Sequence, residues 1–233
     1  MRKFKKILSM TLISSIAILA SSFGALAANQ PVSYPENLDG NTASSPIIEE
    51  TTGRIYSESE YASLLVEKAG LTSQQATVRA EKVFSEMETF SNKRNARANY
   101  VQYFNRTVYP NASCKAKGWC AEYGFSATMT DGSTPLFVNI IDKWQTAGGS
   151  GPHEYVKVST VSANKLSNTQ VQLSGLGKLQ VKTTNGSTVS GGINITSQEL
   201  VGMGFQVSST SGSTSYYRID ANINTIVKPS WMS

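Results

Sequence analysis

The stretch from Gln170 to Thr196 constrains the fold most, because one periodicity runs through it and can be checked from both ends. Val171, Leu173, Leu179, Val181, Val189, Ile193 and Ile195 take odd positions, while Gln172, Ser174, Lys178, Gln180, Lys182, Ser190, Asn194 and Thr196 take even ones. Period two means one dry face and one wet face, hence antiparallel β-structure packed on one side. Thr184-Asn185-Gly186 separates the halves, and face matching selects the turn. A two-residue Asn185-Gly186 loop would set Val181 opposite Ser190. A three-residue loop with left-handed Gly186 sets it opposite Val189, so the bulged form is predicted.

The same pattern recurs from Tyr100 onward. Tyr100–Phe104 begins the sheet, and Tyr123, Phe125, Ala127 and Met129 alternate with polar neighbours up to Asp131-Gly132. Leu136–Ile141 is apolar at nearly every position, as in a central strand covered on both sides, and residues 145–152 are glycine-rich and irregular. Met203, Phe205 and Val207 share a face, and Tyr217, Ile219, Ala221, Ile223, Thr225 and Val227 form one unbroken final strand before Pro229. Short strands without interleaved helices predict a mainly β fold over 99–233, an antiparallel β-sandwich in preference to a β-barrel.

Ahead of it the period is helical. Ser57-Glu-Ser-Glu60 and Thr72-Ser-Gln-Gln75 are capping boxes, Gly70 ends the first helix, and Ala76, Ala80, Val83, Phe84, Met87 and Phe90 stripe the second. A helical hairpin is therefore assigned to 56–98. Residues 28–55, with Pro31, Pro35 and Pro46, read as a flexible lead-in that leaves room for a short strand near Pro46–Ile48.

Residues 1–27 read as an export signal. Arg2, Lys3, Lys5 and Lys6 precede an apolar run, and Ala25-Leu26-Ala27 fits a cleavage site after Ala27. The run falls short of the roughly 20 residues a bilayer demands. Four of the 21 Lys and Arg lie in this segment and none of the 16 Asp and Glu, so the remainder is close to neutral and has no electrostatic case for nucleic acid. A secreted, bacterial protein, not integral to a membrane once the signal is removed, is the expectation. Outside the cytosol Cys114 and Cys120 are expected to pair as a disulfide. With His153 the only histidine, neither a metal site nor a cofactor is expected.

Catalytic motifs are absent from the sequence: no nucleophile elbow, zinc motif or phosphate-binding loop. His153-Glu154 would point to opposite faces of a strand. The one basic cluster, Lys93, Arg94, Arg97 and Arg106, reads as a solvated linker beside a helix end. Trp119, by contrast, lies between Lys115, Lys117 and Cys120 in a short loop, and a basic, disulfide-closed tip presenting one indole is the predicted recognition site. Trp144 and Trp231 are assigned to the core or to flat binding faces. The inventory favours a non-catalytic binding module for a cell-wall polymer, glycan or surface protein. The alternatives are a glycan hydrolase using a pair among Glu122, Asp131, Asp142, Glu154, Glu199 and Asp220, and a β-pore former inserting the 170–196 hairpin.

Overall fold

A computed structural model describes residues 45–94, 99–190 and 193–229. The signal assignment, most of the lead-in, Arg97 and Trp231 lie outside these residues, as do the side chains of Phe90, Lys93 and Arg94. The fold is mainly β and its strand pairs are antiparallel.

The first strand, β1 (Ile47–Ile55), occupies much of what the sequence predicts as lead-in. It has no apolar alternation, and only Ile55 is buried. Backbone pairing along its whole length to β2 (Asn99–Tyr109) holds it in place, which a hydrophobic pattern cannot reveal. Between them come α1 (Glu58–Ala69) and α2 (Ser73–Arg94). Ser57 Oγ accepts from Glu60 N at 3.3 Å while Glu60 Oε2 accepts from Ser57 N at 3.2 Å, and Gly70 closes α1 at φ 67°. Thr72 and Gln75 exchange the equivalent bonds at the start of α2.

A short helix α3 (Ala112–Lys117) leads into β3 (Cys120–Thr130), and β4 (Phe137–Gly148) completes a four-stranded sheet in the order β1-β2-β3-β4. The apolar run at Leu136–Ile141 is thus an edge strand and not a central one. Its coverage on both faces is as expected, with Phe137 and Ile140 against one core and Ile141 against another. The glycine-rich continuation also stays in the ladder, where Gln145 pairs with Tyr123 and Gly148 with Cys120.

The second half comprises β5 (His153–Lys157), β6 (Ser162–Ser167), β7 (Gln170–Gly175), β8 (Gly177–Thr184), β9 (Ser187–Ser190), β10 (Ile193–Thr196), α4 (Ser197–Gly202), β11 (Gln206–Ser211), β12 (Thr214–Asp220) and β13 (Ile223–Val227). The predicted unbroken final strand is two strands, β12 against β8 and β13 against β7. The break is shared. Asp220 pairs with Lys178 before it and Ile223 with Gly175 after it, so Ala221 and Asn222 stand opposite Gly177 and Leu176 with no change of register. Ala221 N donates to Gly177 O at 2.9 Å, and Asn222 Oδ1 accepts from Gly177 N at 3.0 Å. On the other flank Val158 N and Ser159 N both donate to Leu176 O where β5 gives way to β6. Three neighbouring strands are creased at one level.

The turn after β8 also departs from expectation. Thr184 pairs with Ser187, so Asn185 and Gly186, at φ 52° and 78°, form a two-residue loop. Face matching applies to a hairpin extending back along β8. In the structure the outer edges of β8 are taken by β5 and β12, β9 turns off to pair with β10, and Val189 is left 69% exposed. Left-handed backbone at both central positions is what such a tight turn requires, and Asn-Gly supplies it.

Two cores result. Phe104, Tyr123, Phe125, Met129 and Phe137 of the first sheet meet Val171, Leu173, Leu179, Val181 and Ile223 of the creased strands, together with Phe205 between α4 and β11. On the opposite face, Val101 and Ile55 meet Tyr61, Leu65, Ala76, Ala80 and Val83 of the helical hairpin. Among the described residues no helix is long and apolar enough to cross a membrane.

Candidate functional site

The segment predicted to form the recognition tip is built differently. Asn111 Oδ1 accepts from Cys114 N at 2.9 Å to start α3, and Gly118 ends it at φ 69°. Asn111 Nδ2 donates to Met203 O at 2.8 Å, fastening the segment to the residue after α4. Trp119 then turns inward. Its ring lies 5.7 Å from His153 and 6.0 Å edge-on from Phe205, and only 3% of the residue is exposed. The indole is core. A short loop has no interior of its own, but this one borrows an interior from β5 and from Phe205, just ahead of β11. Lys115 Nζ bonds Glu49 Oε1 at 2.7 Å, which holds that carboxyl below the usual carboxylate range, and Lys117 Nζ stands 6.0 Å over the Trp119 ring.

The expected disulfide is likewise not formed: Cys114 and Cys120 are free, buried thiols. Cys114 belongs to the core between the sheets. Cys120 opens β3 in step with Glu122, Gly124 and Ser126, whereas the alternate residues Ala121, Tyr123 and Phe125 enter that core. The two sulfurs therefore belong to different sides of the sheet. Burial pushes both thiols up to about 11, so they stay protonated and unreactive.

His153 and Glu154 divide as expected, His153 buried and Glu154 exposed. The imidazole donates Nε2–H to Gly148 O at 2.9 Å, and burial lowers its pKa. Most of the candidate acids already have partners. Glu122 bonds Lys68 at 2.9 Å, Asp220 bonds Lys178 at 2.8 Å, and Glu199 caps α4 through Thr196, which lowers its pKa. Asp142 is held most completely: Arg79 Nε reaches its oxygens at 3.1 and 3.2 Å, and Tyr61 OH donates to Oδ2 at 2.5 Å. Tyr61 also meets Ser126 Oγ at 2.7 Å, and burial together with the Asp142 charge raises its phenol pKa. This knot ties α1 and α2 to β3 and β4. Among the described residues no group of three His, Cys, Asp or Glu is placed to hold a metal ion.

What the structure brings together, and the sequence does not announce, is a cleft of about 350 Å³ where the layers meet along β4. It is lined by Lys68 at the end of α1, by Asp142, Lys143, Trp144 and Gln145 of β4, and by Lys157, Thr160 and Val161 of the β5–β6 crease. Lys143 and Lys157 are exposed and take part in no ion pair among the described residues. Asp142, the carboxylate in the lining, is already committed to Arg79 and Tyr61. A larger cavity of about 420 Å³ near Pro46 and Pro110 differs in this respect. There Lys178 is paired with Asp220, and Arg218 Nε donates to Gln180 at 2.7 Å. Of these two cavities, the β4 cleft is the one lined by lysines that have no ion-pair partner among the described residues. Two lysines on different strands, fourteen positions apart, carry no local motif, so sequence alone had no signal for them.

The chain matches no family model, no curated protein and no solved structure.

Proposed function

We propose that the protein is an exported, non-catalytic binding module: a β-sandwich with a helical hairpin on one outer face, acting at or outside the cell surface. The basic, apolar and small-residue order of residues 1–27 supports export. The observation that carries the binding reading is the β4 cleft, where Lys143 and Lys157 line a cavity whose carboxylate, Asp142, is already paired with Arg79 and Tyr61. Like charges left together are favourable only when solvent or a ligand supplies the counter-charge. Four of the six carboxylates a hydrolase could draw on support it as well, since Glu122, Asp142, Glu199 and Asp220 are engaged in ion pairs or a helix cap.

The test is co-sedimentation of the purified protein with cell-wall fragments, neutral glycans and liposomes, followed by elution with salt. Retention on wall fragments, released as salt rises, is the expected result. Absence of retention on every surface, together with release of soluble sugar from the wall fragments, would replace this reading with a hydrolytic one.

A further inference from the structure

We infer that the β4 cleft is a phosphate site, taking a phosphate ester carried on a flexible polyol chain; this rests on the binding reading above and names its ligand. Lysines are the uncommitted cations here. Lys143 comes from the edge strand of one sheet and Lys157 from the creased edge of the other, so the two residues enter the lining from two elements. An ammonium is a compact charge with three rotatable donors, and it suits a tetrahedral oxyanion approached from several directions. A planar carboxylate is matched better by the fixed fork of an arginine, and the arginine beside this cleft, Arg79, is spent on Asp142 and on Ile141 O at 3.1 Å.

Lys68 is not counted with them. Its ammonium bonds Glu67 at 3.0 Å and Glu122 at 2.9 Å, so its charge is already neutralised within the fold. The concavity decides between a soluble chain and a membrane. A membrane surface is engaged by clusters of roughly 4 to 8 cations, or by apolar side chains that enter the headgroup layer. Here only two uncommitted lysines line the cavity, and of its larger apolar residues Trp144 and Val161 are buried and Ile141 is half-buried. A chain of polyol phosphate can place one phosphate between the lysines while its hydroxyl-bearing links reach Thr160 and Gln145.

Calorimetric titration of the purified protein with poly(glycerol phosphate), at low and at physiological salt, tests this. The comparison is with the Lys143→Gln/Lys157→Gln double variant and with Lys182→Gln, which alters an exposed lysine outside the cleft. The double variant should bind about tenfold or more weakly, as expected for losing charge-assisted hydrogen bonds, with an unchanged melting temperature. Lys182→Gln should bind as the parent does. Equal binding by the double variant would overturn the assignment, as would equal affinity of the parent protein for polygalacturonate, whose charges are carboxylates. Binding to phosphatidylglycerol vesicles without binding to the soluble polymer would also overturn it, in favour of a membrane role. If the double variant still sediments with wall fragments, the phosphate site falls and the binding module stands. If the parent protein binds neither polymer nor wall fragments, both fall.

Discussion

The two faces of the four-stranded sheet are held in different ways. Toward the creased strands contact is mainly apolar, joined by the buried bond from Tyr123 OH to Ala221 O; on this face of the sheet Phe104 stacks on Phe125 with ring centroids 5.1 Å apart, and Phe137 tilts against both. Toward the helices, a smaller apolar patch surrounds a polar knot in which Tyr61, Ser126, Asp142 and Arg79 satisfy one another. Apolar contact is nondirectional and scales with area, whereas the knot fixes orientation. The first face supplies most of the stability, and the second sets where the hairpin sits.

The largest expected effect tests the apolar face. Phe125→Ala should cost about 3–5 kcal/mol in urea unfolding, because Phe125 is wholly buried between Phe104 and Phe137. A loss confined to the helices would break the comparison. Next, Gly124→Ala should cost about 1–3 kcal/mol, since a Cβ there overlaps the Trp144 indole, whose Nε1 donates to Asn105 at 2.9 Å. Asp142→Ala should cost about 1–2 kcal/mol, less than a fully buried pair would lose, because the Arg79 side chain keeps 35% exposure. Its signature is local. Amide exchange should accelerate in α1 and α2 while β3 stays protected, and uniform acceleration would mean the knot is not what orients the hairpin.

Two smaller effects sharpen the picture at the Trp119 end. Burial depresses the His153 pKa, so the unfolded chain takes up a proton first as pH falls. The stability this residue contributes is complete above its ordinary value of about 6.5 and is lost as pH drops through the depressed folded value. Melting temperature should fall between neutral and mildly acidic pH, and His153→Phe should flatten that slope. The thiols give the mildest readout. Iodoacetamide should modify neither Cys114 nor Cys120 in the native protein and both after unfolding, whereas failure to label the unfolded, unreduced chain would restore the disulfide.

Features carried by neighbouring residues were legible in the sequence. The capping boxes at Ser57 and Thr72 and the alternation through Val171, Leu173, Leu179 and Val181 need no distant partner to be recognised. Features that depend on stacking were not. Trp119 is buried by Phe205 and His153, both far along the chain, so its loop looked too small to hide it. The cysteines are expected to pair because of the compartment, but α3 separates their directions by a change of element that compartment does not encode. The Asn185-Gly186 turn was misjudged because β8 finds its partners in β5 and β12. Lys143 and Lys157 become one feature only when β4 lies beside the crease.

The crease at Leu176 and Asn222 has a consequence for how errors in folding are rejected. Because β8–β12 and β7–β13 share one continuous alignment across the bend, neither half can shift its partner by a residue without dragging the other half out of step. A slipped arrangement would have to turn both apolar rows outward at once, so the bend doubles the penalty for misalignment while leaving the strands free to change direction.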